Sequence, residues 1–354
     1  MTNSCEQIKT EYENLKTLKE EFDLEYQKAI ETGELERVRE MRTELEEKRD
    51  ALKEKLWLFE GLPQKELKEQ YESQREILKN VGILEKLTNG EIGIKGIDNK
   101  EYPFPSYQEI SKRIRENKEM LKTKVEQGFN QLLIVPFGMK LDDLIEKYKE
   151  VILKHHQEGK LLATKENPSD PDEPMELNED KPVWVWDKYN NADISGEIVY
   201  FPNEFSKVNH QGKTKQEILK EKGGWNILFI EDLPNIPRKD KGKEIKSRKQ
   251  LESGQSPNEY LETLKTNPIY QNETGMTPEE QIVYALKHLE QTNQVIDDYS
   301  GKGSASYQLG AFFPADGYVP DAYWYRGSRQ VYLDRYTPED SYSSDGVRGA
   351  VRGF

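Results

Sequence analysis

The stretch AYWYRGSRQVYLDRYTPEDSYSSDGVRGAVRGF, from Ala322 to Phe354, decides how this chain is read. Tyr, Ser, Arg and Asp alternate through its first two dozen residues, and it then stiffens into GVRGAVR, Gly346 to Arg352. A disordered tail, a core strand and a displayed surface are the competing readings. Trp and Tyr at this density bury area, which argues against disorder. GVRGAVR alternates as a strand does, which puts Val347 and Val351 on one face, while Gly346, Gly349 and Gly353 permit close backbone approach. RQVYLDR, 329–335, and SYQLGAFF, 306–313, read as two further strands, with the aromatic residues between them in a loop anchored by a buried Trp324. Tyr offers rigid amphipathic contact at low entropic cost, and Ser and Asp adapt their hydrogen bonds, a combination that binding loops exploit. The candidate ligand contacts are therefore Tyr323, Trp324, Tyr325, Ser328, Tyr332, Asp334, Tyr336, Glu339, Asp340, Tyr342, Ser344 and Asp345. Arg348 and Arg352 are expected to fix the terminal strand by hydrogen bonds and ion pairs.

Working outward, the apolar run Leu132–Val135 suits a strand buried on both faces. An amphipathic helix follows, with Leu141, Leu144, Ile145, Tyr148, Ile152 and Leu153 inward. VWVWDKY, GEIVYFP and GGWNILFIEDLP read as more strands. A second helix starts at Thr277, with Pro278 in its first turn and Glu280 completing a capping box. Upstream, Ile8, Tyr12, Leu15, Phe22, Tyr26 and Ile30 recur at helical spacing. A turn at Gly33 leads to a helix carrying Val38, Met41, Leu45, Leu52 and Leu56, stopped at Gly61 and Pro63. These two helices predict an antiparallel hairpin, either a dimerising or partner-binding coiled coil or a stalk packing on its own domain. Two more helices, 64–84 and 106–129, bracket a turn-rich segment, 88–105, that predicts a small hairpin. The expectation is an α+β protein with a helical, coiled-coil-like region over 1–126 and a second domain over 127–354.

Composition narrows the function. The 354 residues carry a net charge of −14, with 33% charged and 34% apolar residues, so phosphate backbones are repelled and nucleic acid is not an expected partner. The basic run Arg238–Lys249 reads as a solvated loop. Cys5, the sole cysteine, rules out an internal disulfide framework and a Cys-rich zinc site. No run reaches the roughly 18 apolar residues of a membrane span, and the start lacks an apolar signal core. A cytoplasmic location is the default expectation, with non-classical export left open.

Enzyme chemistry finds no foothold. His155 and His156 are adjacent on a helix, point about 100° apart and cannot share a metal; both read as surface or edge residues. His288 lies near Tyr284 and Glu280 as ordinary helix neighbours do. The acidic loop Glu166–Asp180 lacks the ligand spacing of a calcium loop, and GKGSAS, 301–306, has the wrong spacing for a phosphate loop. Neither catalytic residue, metal nor cofactor is expected.

The residues from about Gln131 onward resemble the C-type lectin fold in its branch related to formylglycine-generating, sulfatase-modifying enzymes. The last fifty, about 305–354, resemble the variable proteins of diversity-generating retroelements. The resemblance is carried by SYQLGAFFPADGYVPDAYWYRGSRQ, Ser306–Gln330, and by GVRGAVR, which is similar to the Gly-Phe/Val-Arg ending of those proteins. It implies a C-type-lectin-like domain that displays diversified side chains as a ligand-binding surface, with a protein as the expected ligand. The alternative is a scaffold that self-associates through its N-terminal helices. Two departures narrow the resemblance. The enzyme branch uses cysteines that this chain lacks beyond Cys5, and the calcium-lectin branch uses a Trp-Asn-Asp motif where this chain has Trp225, Asn226 and Ile227.

Overall fold

The computed structural model describes residues 3–32, 35–59, 62–162, 175–299 and 303–352. Gly33, Gly61, Gly353 and most of the acidic loop, 163–174, lie outside them. The fold is α+β, with helices Asn3–Thr32 and Glu36–Leu56 packed on each other ahead of two larger β-sheets, several small ones and their covering helices.

The first sheet runs, in spatial order, Glu273–Gly275, Gly349–Val351, Asn226–Ile230 and Gln131–Val135, all antiparallel. In the second the order is Asp345–Val347, Ala305–Tyr307, Val319–Tyr325, Gln330–Tyr336 and Val183–Val185, with parallel pairs at both edges. Helices Leu141–Gln157 and Pro278–Thr292 supply Leu144, Tyr148, Ile282 and Leu286 to a core shared with Leu133, Trp324 and Leu333.

Helix Pro278–Thr292 starts as its capping box predicts: the Thr277 side chain accepts from the Glu280 backbone N–H, and Pro278 sits at the first position. It is buried from Pro278 to Leu289, so its polar residues need partners. Glu279 has Lys215 and the Tyr200 hydroxyl, Glu280 has Arg352, and Gln281 donates to Asp297.

Arg348 and Arg352 act as read from the sequence. Arg348 pairs with Asp297 at 2.7 Å and donates to the Leu233 carbonyl; Arg352 donates to Glu280 at 2.8 Å and to the Gly275 carbonyl. Between them GVRGAVR is split, correcting the single-strand reading. Val347 lies in the second sheet and packs with Tyr307 and Val319, whereas Val351 lies in the first and packs with Phe129 and Phe229. A Cβ on Gly346 would sit 2.7 Å from the Ile236 side chain, so the close approach is real.

Several other expectations change. Val319–Tyr325 is a strand where a loop was read, and it forms a seven-residue hairpin ladder with Gln330–Tyr336. SYQLGAFF is two short strands, the second pairing with Val199–Tyr200. Helices Lys215–Lys222 and Pro257–Thr266, each with a capping box, were not anticipated. Segment 88–105 contributes to a three-stranded sheet. In the basic run, Arg248 is fully buried against Glu231 and Glu273, because a small hairpin turns it inward.

Packing also crosses the boundary expected at 126/127. Leu67, Tyr71, Ile110, Ile114 and Leu121 share one core with Leu132, Phe229 and Val351. Helix Gln64–Asn80 lies along the edge strand Gln131–Val135. There Gln74 bonds both the N–H and the C=O of Ile134, and Gln70 bonds the Leu132 N–H and the Asn130 C=O. Four residues of helix rise about 6 Å and two residues of strand about 6.7 Å, so glutamines four apart match strand positions two apart. On the N-terminal pair of helices, Ala29, Val38 and Leu52 are buried, but Tyr12, Tyr26 and Ile30 of the expected stripe are exposed. No helix among the described residues is long and apolar enough to cross a membrane.

Candidate binding pocket

The hairpin ladder sorts its side chains by parity. Ala322 pairs with Leu333 and Trp324 with Val331, and all four are buried in the main core. Their neighbours take the opposite face: Asp321 pairs with Asp334, Tyr323 with Tyr332, and Val319 with Tyr336. At one end that face is closed by Tyr260, Tyr307 and Val347. Beyond them it opens into a pocket of about 410 Å³ lined by Tyr299, Asp321, Tyr323, Tyr325, Asp334, Tyr336, Tyr342 and Asp345, with Ala305 and Arg335 completing it.

Stacked rings build the walls. Tyr332 lies between Trp184 and Tyr323, with ring centroids at 5.2 and 5.1 Å and the two tyrosines almost parallel, and Tyr299 leans on Tyr323 at 5.4 Å. Opposite, Tyr336 bridges Tyr307 and Tyr342 at 5.3 and 5.4 Å. Such contacts fix ring orientation and add to the stabilisation from burial, so the walls are held before any ligand arrives.

Carboxylates line the space between. Asp334 pairs with Arg335 at 2.8 Å, and Arg335 stacks on Trp186. Asp345 accepts from the Tyr307 hydroxyl at 3.2 Å and from the Ser344 hydroxyl at 2.7 Å. Asp321 is 4% exposed and its Oδ1 has no hydrogen-bond partner. Burial, followed by the neighbouring Asp334 and Asp345, pushes the Asp321 carboxyl well above the usual carboxylate range. Burial raises Asp345 as well, against its hydrogen bonds from Ser344 and Tyr307.

Six of the twelve candidate contacts line the pocket: Tyr323, Tyr325, Asp334, Tyr336, Tyr342 and Asp345. Tyr332 supports the wall from behind. Trp324 does not belong to the site, since strand parity sends it into the core, 1% exposed. Ser328 lies in the hairpin turn and donates to the Tyr325 carbonyl, while Ser344 is spent on Asp345. Glu339 and Asp340 are exposed but outside the lining. Asp321, Tyr299 and Arg335 were missed. The signal for Asp321 was present: VPDAYWY and QVYLDRY are runs of like length about a four-residue turn containing Gly327, which is a hairpin pattern. Tyr299 reaches the pocket only through tertiary packing. His155 is buried with Nε2 3.0 Å from Glu290, so the surface reading of it fails. Burial pushes His288 down to about 4 and keeps it neutral.

No protein family, curated protein or solved structure matches the chain.

Proposed function

We propose that the protein is a ligand-binding protein of the variable, C-type-lectin-like kind that its C-terminal sequence resembles, and that the tyrosine-lined pocket is its diversified site. The strict parity of the hairpin carries this reading. Outward Tyr325, exposed beside the hairpin turn, can change identity while inward Ala322, Trp324, Val331 and Leu333 keep the core. Surface changes of this kind usually cost under about 0.5 kcal/mol, which is the condition a diversified surface must meet. The reading assigns no catalytic residue.

The test is a display library randomised at Tyr325, Ser328, Asp334 and Tyr342 and panned against several unrelated proteins. Folded binders with different residues at these positions are expected for different targets. A library whose members are mostly unfolded, or which yields no binder, removes the reading. At the gene locus, a near-identical repeat and an adjacent reverse transcriptase are expected.

A scaffold acting through the N-terminal helices is the second reading, favoured by the exposure of Tyr12, Leu24, Tyr26 and Ile30. Sedimentation of the full chain over a concentration series decides whether those helices self-associate.

A further inference from the structure

Three carboxylates face a pocket whose remaining walls are almost entirely tyrosine, while the Arg335 guanidinium at its edge stacks on Trp186 and Tyr318. Asp334 and Asp345 have partners within the protein, but Asp321, nearly inaccessible and set among rings, has an oxygen that receives no hydrogen bond. A buried polar atom left unpaired is costly. A donor supplied from outside would remove that cost. Tyrosine faces attract cations, and the net charge of −14 draws them in. Among the described residues, no three His, Cys, Asp or Glu side chains converge closely enough to hold a metal ion. A bulky organic cation fits this arrangement better, with N–H donors for the carboxylates and methylenes for the rings.

Resting on the ligand-binding reading of the same pocket, we infer that its ligand is an organic cation, an alkylammonium or guanidinium group whose N–H donors meet Asp321 between the walls of Tyr323, Tyr325 and Tyr336. The exposed rings of Tyr325 and Tyr342 at the rim suit a Lys or Arg side chain presented by a protein.

The test titrates the full chain with N-acetyl-Gly-Lys-Gly-amide and with its Arg, norleucine and Glu analogues at millimolar concentration, followed by NMR of specifically labelled tyrosine rings. The Lys and Arg peptides should shift Tyr323 and Tyr325, and Asp321→Asn should weaken them by at least about tenfold, because a bound cation favours the ionised form of Asp321 and an amide cannot supply that charge. Glu339→Gln, outside the pocket, should leave binding unchanged. Tighter binding of the Lys peptide than of n-butylammonium chloride assigns the cation to a protein side chain, and equal binding assigns it to a free amine; both support the inference. Equal shifts by the norleucine or Glu peptide at the same rings would overturn the cation assignment while leaving a ligand-binding pocket in place. Absence of shifts with every peptide, or affinity indifferent to Asp321→Asn in a folded variant, also overturns it. Failure of the display library with cation binding intact would instead sink the diversified-site reading alone.

Discussion

At the scale of single residues, two aromatic residues of the same stretch answer to different constraints. Trp324 fills the core, so Trp324→Ala should cost about 3–5 kcal/mol, whereas Tyr342→Ala, at a ring 58% exposed, should stay within about 0.5 kcal/mol. Urea denaturation of the two variants measures both, and equal losses would mean that Tyr342 belongs to the core and not to the pocket rim. Asp321 carries a pH signature. Its carboxyl is raised in the folded chain, so folding favours its protonated form. That contribution is fully present below the unfolded pKa and is lost as pH rises through the folded value. Asp321→Asn removes the loss. The variant should therefore unfold at higher urea than wild type at neutral pH, with the difference closing in acid; a difference constant with pH would contradict the assignment. The pairing of such a residue with a binding role fits the general trade of stability for function.

At the scale of elements, legibility followed the range of the interactions involved. Helix Pro278–Thr292 was readable because Thr277, Pro278 and Glu280 are local signals, and Leu132–Val135 because four consecutive apolar residues need two covered faces. Val319–Tyr325 was not read as a strand: Pro320 and Asp321 disfavour one locally, and the hydrogen-bonded ladder on both sides overrides them. The same limit hid Tyr299 from the site, whereas the hairpin pattern about Gly327 did signal Asp321. Six candidate contacts were legible because aromatic and acidic residues already crowd that stretch, but which face each takes depended on register. Register also decided the terminal strands, since Arg348 needs Asp297 and so turns the chain between the sheets. Removing one partner of such a buried pair leaves an uncompensated charge; Arg348→Ala should cost about 3–5 kcal/mol, and replacing both partners with apolar residues much less. Gln74→Leu tests the glutamine pair on the sheet edge. It strips Ile134 of both side-chain hydrogen bonds and should cost about 1–3 kcal/mol, measurable by thermal denaturation together with faster amide exchange at Ile134.

At the scale of the whole molecule, helices Gln64–Asn80, Tyr107–Glu116 and Lys118–Glu126 belong to the core behind the first sheet. A fragment starting at residue 130 would expose Leu132, Phe229 and Val351 and bare the edge strand Gln131–Val135, which then becomes a template for pairing between molecules. That fragment should be recovered as aggregate, and a fragment starting at residue 62 should unfold cooperatively and remain monomeric by light scattering. If the shorter fragment also unfolds cooperatively, helix Gln64–Asn80 is dispensable.

The split terminal strand sets the order of assembly during synthesis. Gly349–Val351 is an interior strand of the first sheet, between Glu273–Gly275 and Asn226–Ile230, and Asp345–Val347 closes one edge of the second. The second sheet is incomplete until the chain has been made through Val347, and the first until it has been made through Val351 and that segment has left the ribosome. A nascent chain paused earlier would hold its helices with an unfilled slot between strands, so the pocket comes into being last, in a chain translated almost to residue 351 or beyond.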